Sequence, residues 1–338
     1  MEVIENKHIR VGIIGLGAVS NNHIRSLIAL ETVELCALCD INEEKLEKKK
    51  AEFSLHVPTY SDYKEMIENE NLDTVHILTP HYLHAPMTIF ALEHGLDVFL
   101  EKPMGISLSD IQNIRDAEKR SGKRVCVCFQ NRFSDTTVNA REIVEADGGV
   151  ISAYATVIWN RNAQYYAQDT SWRGKWATEG GGVMINQAIH TLDLLCQFLG
   201  TPKTVKASCQ NHHLDGIIEV ESMCEGLVRF ENGKQALFYT TTAFDGGNVT
   251  SLYLKTKNHS ILIQNENLYL DGEKYAMVET ESAYYGKKCY GKGHQALISL
   301  FYQSIMEGDE MPVDTESAQY ALRLLLAAYQ SSGKEIFI

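Results

Sequence analysis

Residues 9–30 read IRVGIIGLGAVSNNHIRSLIAL, and the reading of this stretch decides the fold. IRVGIIG is an apolar strand, and AVSNNHIRSLIAL follows it directly as a helix. The join is Gly15-Leu16-Gly17-Ala18-Val19-Ser20. In such a join the first Gly permits the tight turn and the second lets the backbone approach a pyrophosphate. The helix N-terminus then offers that anion free N–H groups and the positive end of a dipole. Ser20 takes the place of a third Gly and is still small enough for helix–strand packing. Asp40 closes the next strand, VELCALCD, twenty residues after Ser20, where a carboxylate accepts hydrogen bonds from ribose hydroxyls. No Arg follows it, and a 2′-phosphate would meet its negative charge, so NAD is expected rather than NADP. Gly15, Gly17, Ala18, Val19 and Asp40 are the expected contacts.

The alternation continues outward. EEKLEKKKAEF is a charged surface helix; TVHILTP, DVFLEK and RVCVCF are buried strands separated by the helices HAPMTIFALEHG and SLSDIQNIRDAEKRSG. Strands and helices at this pitch make a parallel sheet. After Asn131 the rhythm changes. A helix over 134–146 leads into the strand VISAYATVIWN, and strands dominate from 203. VRFENGKQALF carries Asn232-Gly233 between two apolar runs, a strong hairpin signal. ILIQNENLYLDG reads as a second hairpin, and HQALISLFYQSIMEG and ESAQYALRLLLAAYQSSG as late helices. The expected architecture is α/β: a doubly wound parallel Rossmann sheet over 1–128, then an α+β domain over 129–338 with a large, mainly antiparallel open sheet. The terminal helices are free to pack back on the first domain. The outer face of the large sheet is either a surface for self-association or an exposed polar face.

The bulk numbers agree with this. A chain of 338 residues is too long for one ordinary core. With 44% apolar and 22% charged residues it has the composition of a soluble globular protein. Its formal charge of −13 argues against nucleic acid or an anionic membrane as partner. No apolar run reaches the length of a membrane span, and the polar start does not resemble a signal peptide, so the cytoplasm is the expected location. Cys36 and Cys39 form a C-x-x-C pair, but on a strand they point to opposite faces. Cys126 and Cys128 also lie in a buried strand. All four read as small buried hydrophobes with unpaired thiols, and no metal site is expected.

Two further stretches carry chemistry. Glu101-Lys102-Pro103 ends the strand DVFLEK, at the carboxyl end where open parallel sheets bind ligands. Pro103 restricts the backbone of Lys102. A Lys there, partly desolvated beside a cationic nicotinamide, is expected to have a lowered pKa and to exchange a proton with a reacting oxygen; the alternative is a salt bridge with Glu101. The second stretch is GGGVMINQAIHTLDLLC, residues 180–196. Three glycines give a flexible start to an apolar helix. On a 3.6 period Ile185, Ile189, Leu192 and Leu199 share a buried stripe. Asn186, His190 and Asp193 form a second, polar stripe with no Lys or Glu between 183 and 199. It faces either a substrate or the interior, with His190 bonded to Asp193.

Taken in order, the fingerprint, the Glu-Lys-Pro triplet and the GGG-x4-Asn-Gln-x2-His-x2-Asp helix resemble the glucose–fructose oxidoreductase/inositol dehydrogenase family (Gfo/Idh/MocA). The resemblance covers nearly the whole chain and extends to TPHYLHAPMTIFALEHG, QNRF at 130–133, SWRG at 171–174 and the GKGH run before the late helices. It implies Lys102 and His190 as the catalytic pair. It also implies Thr79, Pro80, His81, His84 and Glu101 as lining of the nicotinamide end, and Trp172 with Arg173 as a pair reaching back to the dinucleotide. Inositol dehydrogenases of the family carry Asp four residues before the His, whereas this chain has Asn186. Asn cannot take a proton, which favours a glycoside- or nucleotide-sugar-oxidising branch. A homodimer or homotetramer through the large sheet is likewise implied.

The expected activity is that of an NAD-dependent dehydrogenase acting on CH–OH groups. Hydride moves between the nicotinamide C4 and a secondary alcohol or ketone of a sugar, glycoside or nucleotide sugar, with the 3-position a candidate carbon. His190 is the expected base, and Lys102 polarises the oxygen. Asn186, Asp193, Arg132 of QNRF and Tyr165 are expected at the substrate, Tyr165 stacking on a sugar or packing in a lid. His81 and His84 follow Pro80 at a helix start and read as cofactor-side residues, not metal ligands. The alternatives are an inositol or other cyclic-polyol dehydrogenase, a reductase of a non-sugar dihydrodiol or imine, and a non-catalytic NAD-binding regulator.

Overall fold

The computed structural model describes residues 8–167, 172–278 and 292–338. Ser171 of the SWRG run and Gly291 of the GKGH run lie outside them. The chain divides into two compact units: residues 1–105, 109–130 and 282–315 in one, residues 106–108, 131–281 and 316–338 in the other.

The first unit holds six parallel strands: β1 (Ile9–Ile14), β2 (Val33–Cys39), β3 (Thr59–Tyr60), β4 (Thr74–Ile77), β5 (Asp97–Glu101) and β6 (Val125–Cys128). Their order is β3-β2-β1-β4-β5-β6, the doubly wound arrangement whose switch point lies between β1 and β4. The helices α1 (Ser20–Ile28), α2 (Glu43–Phe53), α3 (Tyr63–Asn69), α4 (His81–Glu93) and α5 (Leu108–Ser121) connect them. Local chemistry sets their ends. The Asn42 side chain caps α2 by accepting from Lys45 N–H at 3.1 Å, with Glu43 and Glu44 in the first turn and left-handed Ser54 closing it. Strands β4, β5 and β6 are buried throughout, as strands covered on both faces must be. The late helix α9, Gly293–Glu307 in the numbering that continues below, belongs to this unit although its sequence falls within 129–338. It buries Leu297, Ile298, Phe301 and Tyr302, each contributing about 1.5–3 kcal/mol.

The second unit holds α6 (Asp135–Ala146), α7 (Ala163–Ala167), α8 (Ile189–Leu199) and nearly all of α10 (Thr315–Ser331). Its nine strands are β7 (Ser152–Ile158), β8 (Pro202–Gln210), β9 (Met223–Phe230), β10 (Gln235–Thr241), β11 (Val249–Lys255), β12 (Ser260–Gln264), β13 (Asn267–Leu270), β14 (Glu273–Lys274) and β15 (Glu335–Phe337). They run in the order β14-β13-β12-β11-β7-β10-β9-β8-β15. All neighbours are antiparallel except β7 and β10. The β9–β10 hairpin turns at Gly233, whose φ is +82°, and β12–β13 is the second hairpin.

Cys36, Cys39, Cys126, Cys128 and Cys196 are buried and form no disulfide among the described residues. Burial pushes the thiols of Cys36 and Cys39 up to about 11 and about 12, so neither is a ready nucleophile. The unpaired-thiol expectation does not extend to Cys209 and Cys224. These face each other across β8 and β9 and form a disulfide; register brings them together, which no spacing reveals. Among the described residues no helix is long and apolar enough to cross a membrane.

Candidate functional site

In the first unit the glycine turn is built for close backbone approach. Gly15 has φ +95°, and a Cβ there would meet the Leu78 carbonyl at 2.8 Å. A Cβ on Gly17 would meet nothing within 4 Å, so the turn is open on the side where a pyrophosphate would lie. Helix α1 begins without a side-chain cap, which leaves its N-terminal dipole available to an anion. Asp40 Oδ2 accepts from Leu16 N–H at 2.7 Å and Oδ1 from Asn42 N–H at 2.9 Å. The carboxylate thus anchors the turn and stands at the end of β2. These residues fit an NAD adenosine half. Asp40→Ser is expected to weaken NAD binding roughly 10- to 100-fold, from the loss of charge-assisted hydrogen bonds, and to narrow the preference over NADP. Titration calorimetry with both nucleotides checks this; unchanged affinities would remove Asp40 from the site.

Where the nicotinamide end is expected, His84 bridges two strand ends. Its Nδ1 lies 2.6 Å from the Pro103 carbonyl and its Nε2 2.7 Å from the Thr79 carbonyl. Burial lowers its pKa against the pull of both oxygens, and a neutral imidazole donates to only one of them. His84 thereby fixes the Lys102–Pro103 peptide, which is cis, against Thr79 and Pro80 at the start of α4. His81 is buried beside it, the two rings 5.8 Å apart. Lys102 is half-buried. The Glu101 carboxylate, expected as cofactor lining, instead turns inward: His23 Nε2 lies 3.0 Å from Oε1 and His294 Nε2 3.5 Å. Burial pushes this carboxyl up, but the two imidazoles outweigh it and hold it well below its usual range.

In the second unit the helix expected over 183–199 begins as a π-helical turn, Met184–Ala188, before α8 proper. Such turns are frequent at functional sites. Ile185, Ile189, Leu192 and Leu199 are buried as expected, but the polar stripe splits. Asn186 and His190 are half-buried, whereas Asp193 is 1% exposed. Asp193 turns to Arg132. Its carboxylate takes Arg132 Nε at 2.8 Å and Arg132 Nη2 at 2.6 Å, and Arg132 Nη1 reaches Ser317 Oγ at 3.0 Å. Arg132 and Asp193, both expected at the substrate, are therefore corrected to a buried bidentate pair whose charges are spent on each other.

Two carboxylates that the sequence reading passed over shape the start of this helix. Glu179 is buried; its Oε1 accepts from the Asn186 amide and its Oε2 from Gly174 N–H, both at 2.5 Å. Glu221 Oε2 accepts from Gly182 N–H at 2.8 Å, and its Oε1 accepts from Met184 N–H at 3.0 Å and the Tyr329 hydroxyl at 3.1 Å. A Cβ on Gly182 would overlap the Glu221 carbonyl oxygen, so the glycine run is a site of close contact rather than a flexible start. Glu179 had a faint signal, an acid directly before the three glycines. Glu221 had none, because the strand pairing brings it back from 35 or more residues away. Around the same unit Arg173 stacks on Trp172 at 4.6 Å, and the Tyr165 ring meets Arg173 at 5.3 Å and Arg161 at 4.5 Å.

Glu221 also makes the fold pH-sensitive. Burial raises its carboxyl to about 7 against the hydrogen bonds from Met184 and Gly182. The folded state therefore holds this proton more tightly than the unfolded chain, so its contribution is present below the unfolded value and is lost as pH rises to about 7. Over this window the loss is on the order of 3 kcal/mol. Urea unfolding of the native chain and of Glu221→Gln across pH 4.5–8 isolates it: the native chain should lose stability relative to the variant as pH rises. Parallel curves would refute a raised Glu221.

Residues 9–129 match the family model GFO_IDH_MocA, described as an oxidoreductase family with an NAD-binding Rossmann fold, and residues 138–262 match the GFO/IDH/MocA C-terminal domain. A 1-carboxy-3-chloro-3,4-dihydroxycyclohexa-1,5-diene dehydrogenase of Comamonas testosteroni is 28% identical over 232 residues, covering 67% of this chain and 56% of its own. An inositol 2-dehydrogenase of Salmonella paratyphi B is 29% identical over 140 residues, covering 41% and 42%. The chain thus spans about half the length of these curated relatives. Among solved structures, the WlbA dehydrogenase of Bordetella pertussis, in complex with NADH and UDP-GlcNAcA, is 26% identical with a TM-score of 0.85, covering 98% of this chain and 99% of that one.

Proposed function

This chain belongs to the GFO/IDH/MocA oxidoreductase family, and from that premise we propose that it transfers hydride between NAD and a secondary alcohol of a sugar, glycoside or nucleotide sugar. NAD, when bound, supplies the hydride acceptor at the nicotinamide. His190 takes the hydroxyl proton as hydride leaves, since an unassisted alkoxide is costly, and Lys102 polarises the same oxygen. In the reverse direction both groups act as acids. Thr79, Pro80 and His81 line the nicotinamide end, His84 positions Lys102 through the Pro103 carbonyl, and Trp172 with Arg173 and Tyr165 forms an aromatic–guanidinium wall for nucleotide or sugar.

The observation that carries the substrate class is Asn186. Its amide donates to buried Glu179, so this position holds a neutral group oriented by an acid rather than an acid of its own. Asn186 then serves as a hydrogen-bonding contact to a sugar hydroxyl, and the proton passes to His190 without an Asp relay. The structure of WlbA with a nucleotide sugar supports the same branch; the inositol dehydrogenase relative supports the cyclic-polyol alternative.

The large sheet supports self-association. Register aligns Leu227, Leu237, Tyr154, Tyr253, Leu262 and Tyr269 in one row across six strands. Leu237 is 58% and Tyr154 44% exposed. An apolar row of this length is a natural seat for a second copy of the chain.

Nicotinamide absorbance tests the function: the protein is loaded with NAD and challenged with free sugars, glycosides, inositols and nucleotide sugars. Rapid reduction by glycosides or nucleotide sugars is expected. Reduction by inositols alone moves the substrate to a cyclic polyol. No reduction by any, with NAD bound, leaves the NAD-binding regulator.

A further inference from the structure

The buried polar side chains of the first unit gather on one carboxylate. Glu101 ends β5, Cys128 ends β6, and the two are partners in register, so both side chains leave the same face of the sheet. His23 arrives from α1 and His294 from α9. One ligand atom from each of the four residues lies within 4.8 Å of all the others, and all four residues are buried. Around a tetrahedral zinc, with bonds of roughly 2.0–2.3 Å, ligand atoms stand roughly 3.3–3.6 Å apart. The contacts of 3.0 and 3.5 Å from His23 and His294 to Glu101 already lie near that spacing. The partners of Glu101 among the described residues are imidazoles and a thiol.

We propose that His23, Glu101, Cys128 and His294 bind one divalent zinc ion as a structural site. The two-nitrogen, one-oxygen, one-sulfur set suits zinc among the available metals. The surrounding hydrogen bonds accept the change. His23 Nδ1 lies 2.9 Å from His76 Nδ1, and only one of these nitrogens carries the proton. With Nε2 on the metal, His23 keeps its proton on Nδ1 and donates to His76. His76 then donates from Nε2 to the Tyr302 hydroxyl at 2.8 Å, which stands 3.3 Å from Thr74 Oγ1. His23 and His76 exchange tautomers without changing their proton count, and the Cys128 thiol proton is released to solvent as the thiolate binds. Because all four ligands are buried, the ion enters as the unit folds. This departs from the reading of Cys128 as a mere small hydrophobe.

The test is refolding of the full chain from denaturant, in EDTA or with added zinc or cobalt, followed by exhaustive dialysis and metal analysis. Stoichiometric zinc in the refolded protein, a higher Tm than the EDTA sample and the intense visible bands of tetrahedral cobalt thiolate are expected. Cys128→Ser should abolish the thiolate–cobalt absorption, and His294→Gln should lower retained zinc. A native chain that refolds with zinc present yet keeps none, or whose cobalt form lacks a thiolate band, overturns the proposal without recourse to any variant. Zinc held undiminished by both variants overturns it as well.

Discussion

Lys102→Met is expected to lower kcat by about two to four orders of magnitude and to leave NAD affinity within a few-fold of the native chain. Met keeps the length and apolar stem of Lys but carries no charge or proton, so the substitution tests proton handling with little change in packing. On the proposed reading Lys102 holds the reacting oxygen in the transition state. On the same reading Gly15, Gly17 and Asp40, on other loops, hold the dinucleotide, so the loss falls on the chemical step. Stopped-flow reduction of bound NAD, with NAD affinity measured separately, distinguishes the two. Equal turnover in Lys102→Met would remove Lys102 from the chemistry, and a collapse of NAD binding would recast it as a cofactor ligand.

Arg132→Ala is expected to destabilise the second unit by about 3–5 kcal/mol, lowering its Tm on the order of 10 °C. The cause is not the lost attraction alone. Asp193 is 1% exposed, and without Arg132 its carboxylate is left charged in the interior. Burial already pushes the Asp193 carboxyl up, with Arg132 pulling it down; removing Arg132 leaves only the upward push. The folded variant then holds the Asp193 proton more tightly than the unfolded chain. Its deficit should accordingly shrink as pH falls and grow as pH rises through the raised value. Replacing both members, Arg132→Met with Asp193→Leu, should recover much of the loss, because the stranded charge is gone. A pH-independent deficit, or a double variant no better than Arg132→Ala, would show that the pair is not the source. If Arg132 instead met substrate, Arg132→Ala would raise KM in a protein of unchanged Tm.

The parts legible in the sequence were those set by neighbours in the chain. A period of two or 3.6, a glycine turn between strand and helix, an acid at the next strand end and Asn232-Gly233 between apolar runs are short-range signals. They yielded the parallel sheet, the antiparallel sheet with its hairpins, and the glycine turn with Asp40. The resemblance pointed to Lys102 and His190, which remain a proposal, because its motifs are contiguous words. Legibility stopped where a side chain's partner is distant. Asp193 lies on the same nominal stripe as His190, but Arg132, 61 residues away, claims its carboxylate.

By itself, then, the sequence determined the two kinds of sheet, their order along the chain and the dinucleotide turn, because those depend on backbone geometry and on burial patterns within ten or twenty residues. Only the tertiary structure decided that Glu101 turns inward to His23 and His294, that Glu179 and Glu221 hold the start of the helix carrying Asn186 and His190, that Cys209 pairs with Cys224, and that α9 joins the first unit. The physical reason is common to all four. A buried polar or apolar group must find its partner wherever strand register and helix packing deliver one, and the energy of that match carries no trace in local spacing.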